Sequence, residues 1–475
     1  MKEIRLKITA KSPLAIGWKK PGSVSEAADF ISGSVIRGAV AAQMLRLAGN
    51  NEPEPGDDFH RLFVDDNGAV FRNGYPATAK ITGKYPNPEN SNQEMKPDSK
   101  NYQSEIEIEI PVLVQKVHVL PSTAVSSKAK GGFRQIVDGE DKAAHGVFDT
   151  LIDRFCAEKY GQLYDPNCPK DSGRVEPYSG FYSSGKNDGH EVCEPKVLHT
   201  EAAREFYQKA KDSYIKVSVS KRLLTRVGMN RRRSTSEDEI LYSLEVLNER
   251  FATKHPHGLK QWHDVVYWSS IIVEDDDLAQ HLTNFLNRHG DRFRLGGSAS
   301  RGLGRVEIEA KCVDVNLQEA VKTRIQTFNK ELNKRQSQWK ELFGDCPLSE
   351  KRTYFTIDLQ SDGVFLDNWK RTTVVTPSML CQFAGIDEDK SLELHAAYSS
   401  YDYVSGWNSA WGLMKDIDLV TTKGSVYLFS TQEIDRWYEP LARLECRGIG
   451  ERTLEGFGQI EVCNEFHQVF REEPA

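Results

Sequence analysis

Gly296-Gly297-Ser298-Ala299-Ser300-Arg301-Gly302-Leu303-Gly304-Arg305 is followed by Val306, Ile308 and Ala310 alternating with polar residues, the period of a strand. A second stretch, Gly448-Ile449-Gly450-Glu451-Arg452-Thr453-Leu454-Glu455-Gly456-Phe457-Gly458, leads into Ile460 and Val462 in the same way. Rossmann and P-loop turns place a phosphate on the N-terminus of the helix that follows, and neither loop here opens a helix. Gly297 and Gly302 also continue into Leu303 and Gly304, where a P-loop requires Lys and then Ser or Thr. Both nucleotide-binding readings are therefore excluded. What remains is a loop without side-chain bulk, carrying an arginine, through which backbone amides can approach an extended partner.

Upstream, the two loops share a context. Before the first lies a strand-like run, Val265 to Val273, then a helix with Leu278, Leu282, Phe285 and Leu286 on one face and Asp276 or Asp277 as its expected N-cap. Before the second, Val426 to Phe429 reads as a strand, followed by a helix with Ile434, Trp437, Leu441 and Leu444 on one face; Ser430 and Glu433 stand at capping-box spacing. Strand, helix, glycine loop, strand thus occurs twice, each time half of a ferredoxin-like unit.

At the N-terminus Ile4, Leu6 and Ile8 alternate as a strand, and a Gly17-Trp18 loop leads to Phe30-Ile31-Ser32-Gly33-Ser34-Val35-Ile36-Arg37-Gly38-Ala39-Val40. This segment closely resembles the IPGSSLRGAL segment of the repeat-associated mysterious proteins (RAMPs) of CRISPR effector complexes, with Ser32 in place of the proline. Arg231 to Leu247 and Gly406 to Phe429 are further similar to the large tandem-RAMP subunit of type III-D systems, the Csx-ten family. The resemblance covers both halves and rests on the order of motifs. It implies an α+β protein of two ferredoxin-like, RRM-like domains with a large insertion in the first. The expected division is residues 1–312, with the insertion at about 122–215, a connecting helix at 313–349, and residues 350–475.

The resemblance also implies a function: a structural subunit that holds guide RNA for recognition of foreign target RNA. Its partners would be guide RNA, target RNA, RAMP backbone subunits and the large polymerase-like subunit, in the cytoplasm. Two enzymatic alternatives stand beside it, a precursor-processing endoribonuclease and a backbone subunit that cuts target RNA. In relatives the cutting residue is an aspartate before the IPGS segment; here Asp29 is the candidate, displaced relative to the usual position. A processing enzyme favours a histidine near the first strand and helix, whereas the first histidine here is His60. A scaffold without RNA contact is the third class.

Candidate RNA contacts follow from charge and from the loops. Lys221, Arg222, Arg226, Arg231, Arg232 and Arg233 lie within a stretch that holds no acid, dense enough to neutralise several phosphates. Ser34 sits where the first helix begins, so an anion there would meet outward-facing amides and the positive helix end, with Arg37 one turn in. Gly297, Arg301, Gly302, Gly304 and Arg305 of the first loop, and Gly450, Arg452, Gly456 and Gly458 of the second, complete the set.

Composition bounds these readings. A net charge of -7 argues against nucleic acid coating the whole surface, so RNA contact must be local. No apolar run is long enough to span a membrane, and no leader pattern is present. The eight cysteines follow no disulfide framework, in keeping with a reducing compartment. Cys156, Cys168 and Cys193, with His190 and His199 nearby, are weak zinc candidates because no C-x2-C pair is present; no cofactor is expected. Polar stretches at 84–104 and 126–141 read as loops, and a helix from about Leu317 to Phe343, apolar at Val321, Ile325, Phe328, Leu332, Trp339 and Leu342, links the halves.

Overall fold

Ile4, Leu6 and Ile8 are fully buried while Arg5 between them is exposed, so the first strand, Lys2–Ala10, buries one face and leaves the other largely open. The structure, a computed structural model, describes residues 1–17, 24–49, 53–86, 105–134, 144–193, 201–230, 235–254, 260–344, 351–408 and 412–475. Lys2–Ala10 pairs antiparallel with Val306–Asp314 on one side and with Val266–Val273 on the other. Val70–Phe71 and Tyr75–Pro76 pair with the far edge of Val266–Val273. Helices Gly33–Ala48 and Asp276–Arg288 supply Ile36, Val40, Leu278, Leu282 and Leu286 to the core beneath. Strand, helix, strand, strand, helix, strand in this order is the ferredoxin-like arrangement.

The same arrangement recurs in the second half. Its sheet runs Glu393–Tyr398, Val426–Thr431, Thr353–Leu359 and Ile460–Val462 in spatial order, antiparallel throughout, with helices Pro377–Ala384 and Tyr438–Arg447 in the two helical places. Here burial does not alternate. Every residue from Tyr354 to Leu359 and from Val426 to Thr431 is buried, because both faces are covered. Val321, Ile325, Phe328 and Leu332 of the long helix Gln318–Phe343 join that core, as do Leu151 and Phe155 of helix Leu151–Lys159. Leu342, expected on the same apolar face, is instead 77% exposed, since the helix outruns the sheet beneath it.

Helix Leu151–Lys159 arises between the second and third strands of the first sheet, yet it packs on the second half. Arg335 grips buried Asp153 with both forks, at 2.6 and 2.8 Å, and Trp339 Nε1 donates to the same carboxylate at 3.0 Å. Two buried imidazoles extend the seam. His467 lies between Asp149 and Asp358, the latter at 2.9 Å, and His118 lies between Glu461 at 2.9 Å and Asp188 at 3.2 Å. Burial alone would lower the pKa of His467, but its two carboxylates outweigh it and hold the ring protonated up to about 10. His118 behaves alike beside Glu461, at about 9.

Local expectations fared unevenly. Asp275 caps helix Asp276–Arg288, accepting from Leu278 N, one residue earlier than expected. Ser430 makes no capping box, because it ends inside a strand and bonds Arg352 and His395; Thr431 Oγ1 accepts from Glu433 N instead. Residues 84–86 and 126–127 belong to strands, while 87–104 and 135–143 lie outside the described residues. Among the described residues no helix is long and apolar enough to cross a membrane.

Candidate nucleic-acid interface

The two glycine loops share one backbone. In the first, Gly296, Ser298, Gly302 and Gly304 have φ of +83°, +58°, +84° and +82°; in the second, Gly450, Arg452, Gly456 and Gly458 have +82°, +57°, +92° and +63°. Each holds a short 3₁₀ turn, Ala299–Arg301 and Thr453–Glu455. Leu295 N donates to Gly304 O and Ile449 N to Gly458 O, both at 2.8 Å. A Cβ at Gly304 would lie 2.5 Å from the Leu295 carbonyl oxygen, and one at Gly458 only 1.9 Å from that of Ile449, so only glycine closes either loop. Most amides of the first loop are engaged within the chain: Gly297, Arg301, Gly302, Leu303 and Gly304 all donate to its own carbonyls.

What surrounds the first loop is a long antiparallel hairpin, Lys221–Asn230 with Thr235–Leu247. Leu303 from the loop packs with Ala15 and Val246, against which Leu224 and Leu244 of the hairpin also lie. Arg226 donates to Arg301 O at 3.1 Å, and the Arg301 guanidinium lies 5.2 Å over the ring of Tyr242, the residue paired with Arg226 across the strands. Cation–π contact holds the guanidinium without neutralising it. Arg301 and Arg305 are exposed, and among the described residues neither they nor Arg226 has a recorded carboxylate partner. Lys221 and Arg222 differ: Lys221 pairs with Asp29 at 2.7 Å, and Arg222 with Glu249 at 3.0 Å. Arg231, Arg232 and Arg233 lie outside the described residues.

The second loop is closed upon. Arg452 bonds Asp418 at 2.7 Å and Glu455 at 2.8 Å; Lys415 bonds Glu455 at 2.9 Å and Arg371 bonds Asp418 at 2.6 Å. Burial would lower the Arg452 pKa, but Glu455 and Asp418 outweigh it and raise it. Its charge is matched inside the chain. Gly456 meanwhile rests on the first half, where an added Cβ would be 2.8 Å from Asn73 Oδ1 and 2.9 Å from the Phe71 carbonyl oxygen.

That contact decides the fate of the first helix terminus. Gly33 N donates to Asn73 Oδ1 at 2.8 Å, and a Cβ on Gly33 would meet the Phe71 and Glu455 carbonyl oxygens at 2.0 and 2.8 Å. The outward-facing amides expected beside Ser34 are therefore covered by the chain's own second loop; Ser34 Oγ bonds Ser32 Oγ at 3.0 Å. Arg37 turns inward too. It donates to the Phe63 carbonyl at 2.6 Å and lies 5.6 Å over that ring, and burial lowers its pKa. Asp29 is exposed and stands beside Lys221, so the structure brings the candidate nuclease residue to the base of the basic hairpin.

The three candidate cysteines do not form one site. Cys156 is buried in the core of the second half, and neither it nor Cys193 joins a group of three metal-ligating side chains among the described residues; His199 lies outside them. Cys168 stands beside His145 and Asp171. Sequence reading missed Tyr242, Asp418 and Glu455. Tyr242 was recoverable, since a basic run followed by Tyr242, Leu244 and Val246 alternating with Ser243 and Glu245 reads as two strands of a hairpin, in which Tyr242 lies opposite Arg226.

A doubled ferredoxin-like sheet with a glycine loop before each last strand defines a class, and comparison identifies it. Residues 7–307, more than half of the chain, match the RAMP superfamily, and the protein belongs to that superfamily. No curated protein sequence matches the chain. Among solved structures it is similar to a chain of the type III-B Cmr-beta complex bound to cognate target RNA and AMPPnP, at 11% identity and a TM-score of 0.34, covering 92% of this chain and 88% of that one. It is similar to a chain of the Csm3-Csm4 subcomplex of the type III-A interference complex, at 13% identity and a TM-score of 0.31, covering 90% and 92%. Oligomeric Cmr4 from Pyrococcus furiosus gives 14% identity and a TM-score of 0.25, covering 66% and 100%.

Proposed function

We propose that this protein is the large tandem-RAMP subunit of a type III CRISPR effector complex, of the III-D Csx-ten kind, and that it holds guide RNA without cutting it. The division proposed is a first RAMP domain at 1–312, a connecting helix at 313–349 and a second RAMP domain at 350–475. One observation carries the RNA assignment: of two loops with the same backbone, the first presents arginines that have no acid partner among the described residues, with Arg226 paired across the strands from Tyr242 and Arg301 lying over its ring. Such a face binds a phosphate backbone by charge and leaves its bases to pair with target RNA, so that pairing reads sequence and the protein reads shape. Arg231, Arg232 and Arg233, outside the described residues, are proposed as further phosphate contacts on their charge alone. The partners proposed are guide RNA, target RNA, RAMP backbone subunits and a large polymerase-like subunit, in the cytoplasm.

Asp29 fits a structural part better than a nuclease part, since its carboxylate is engaged by Lys221 at 2.7 Å. Guide RNA binding by the complete chain, measured over a series of salt concentrations, tests the reading. The Arg226→Ala, Arg301→Ala double variant is expected to flatten the slope of log affinity against log salt by about 1.4, two single-strand phosphate contacts at about 0.7 each. An unchanged slope rejects this face. In the assembled complex Asp29→Ala is expected to leave every target cleavage position intact; loss of one position would make the subunit a nuclease.

A further inference from the structure

At one end of a small three-stranded sheet, formed by Val175–Pro177, Ala124–Ser127 and Val147–Asp149, three donors of different chemistry converge. His145 precedes the strand Val147–Asp149, and Cys168 and Asp171 lie in the turn that leads into Val175–Pro177. Cys168 Sγ is 3.5 Å from His145 Nδ1, and Asp171 Oδ2 is 3.1 Å from the same nitrogen. All three donor atoms lie within 4.8 Å of one another; His145 and Cys168 are buried and Asp171 is exposed.

We propose that Cys168, His145 and Asp171 bind a zinc ion, with water on the exposed side as the fourth ligand. Bond lengths of about 2.3 Å to sulfur and about 2.0 Å to nitrogen or oxygen set neighbouring donors of a tetrahedral zinc about 3.3–3.6 Å apart, close to the separations seen. Without an ion, Nδ1–H and the Cys168 thiol can both donate to the Asp171 carboxylate, which leaves the sulfur and the ring nitrogen unused as electron-pair donors. A cation between the three satisfies all of them at once.

The turn is built to present these donors. Cys168 N donates to Gly173 O and Ser172 N to Cys168 O, both at 2.9 Å, with Ser172 in the left-handed region at φ +54°. Gly173 N donates to Asp171 Oδ1 at 2.9 Å, which orients the carboxylate and leaves Oδ2 toward His145. Cys168 and Asp171 thus stand at the spacing of a C-x2-C knuckle whose second cysteine is an aspartate. Binding would release the Cys168 thiol proton. The ion would lock the turn to which the C-terminal segment is tied, since Arg471 Nε donates to Asn167 O at 2.6 Å.

The test is metal analysis of the full-length protein, followed by chelation and titration with cobalt(II). Expected are one zinc per chain, a thiolate-to-cobalt charge-transfer band after exchange, and a melting temperature that falls on chelation and recovers with zinc. Cys168→Ser should abolish the band, and His145→Gln and Asp171→Asn should each weaken metal retention. Absence of bound metal in wild-type protein given equimolar zinc overturns the proposal, as does equal metal content in folded variants. If Cys168→Ser does not fold, wild-type metal content and the Asp171→Asn variant, altered on the exposed side, still decide.

Discussion

At Gly302 an added Cβ would enter open space, whereas at Gly456, with nearly the same φ, it would press on Asn73 and on the Phe71 carbonyl. The same closed turn therefore does two jobs. In the second half it is an internal seam, its arginine balanced by Asp418 and Glu455 and its glycine laid against the first helix terminus. In the first half it is a surface, with Arg301 held on a tyrosine face. The sheets differ in parallel. In the first, the strand Lys2–Ala10 keeps a largely open side although Val266–Val273 beside it is buried; in the second, both central strands are buried throughout, with the sheet's own two helices, the long helix and the inserted helix all joining its core. A repeated fold sets the backbone; what packs on each copy sets whether it is structure or binding surface.

The largest effect should come from the seam that covers the second sheet. Asp153→Ala takes from the Arg335 guanidinium its buried bidentate partner and leaves it only the more exposed Glu472 at 2.8 Å, and a loss of about 3 kcal/mol is expected in denaturant unfolding. An equivalent change at the exposed pair Lys7–Glu309 of the first sheet should cost under about 1 kcal/mol.

Next comes the glycine pair. Gly302→Ala carries only the left-handed strain of about 1–2 kcal/mol, and Gly456→Ala adds a clash with backbone, so the second should be the more destabilising by at least about 1 kcal/mol. Equal losses in urea titrations would mean that the second loop does not bear on the first half.

A smaller effect is expected from pH. The protonated forms of His118 and His467 stabilise the seam fully below the ordinary histidine value of about 6.5, and that contribution is lost as pH rises through about 9 and about 10. Glu461 has the opposite sign. Burial would raise its pKa, but His118 and Lys116 outweigh that and hold it low, so its contribution is present above the carboxylate range and is lost as pH falls through its folded value. Unfolding midpoints should fall between pH 6.5 and 10, and the His118→Gln, His467→Gln double variant should show a flatter profile over that window.

The smallest effect is on affinity. Arg452→Ala should leave the salt slope of guide binding unchanged, against the flattening expected for the first loop, because a guanidinium already paired with two carboxylates releases no counterions on binding RNA. A slope change at Arg452 equal to that at Arg301 would erase the distinction between the loops.

Local signals carried the fold a long way. Ile4, Leu6 and Ile8, the helix face of Leu278, Leu282 and Leu286, and the glycines before Val306 and Ile460 declare two ferredoxin-like halves, because strand and helix periods and positive φ are properties of near neighbours. The strands around 354 and 426 were legible as strands, though their double burial was not. The site was harder. Arg301 and Arg452 look alike in sequence, and the charge run from Lys221 to Arg226 hides which cations are already paired. The sequence by itself thus determined the order of elements and the shape of both loops. Only the tertiary structure decided that Arg452 meets Asp418, that the second loop covers Gly33, and that His145 meets Cys168, because charge pairing and burial depend on residues brought together from distant parts of the chain.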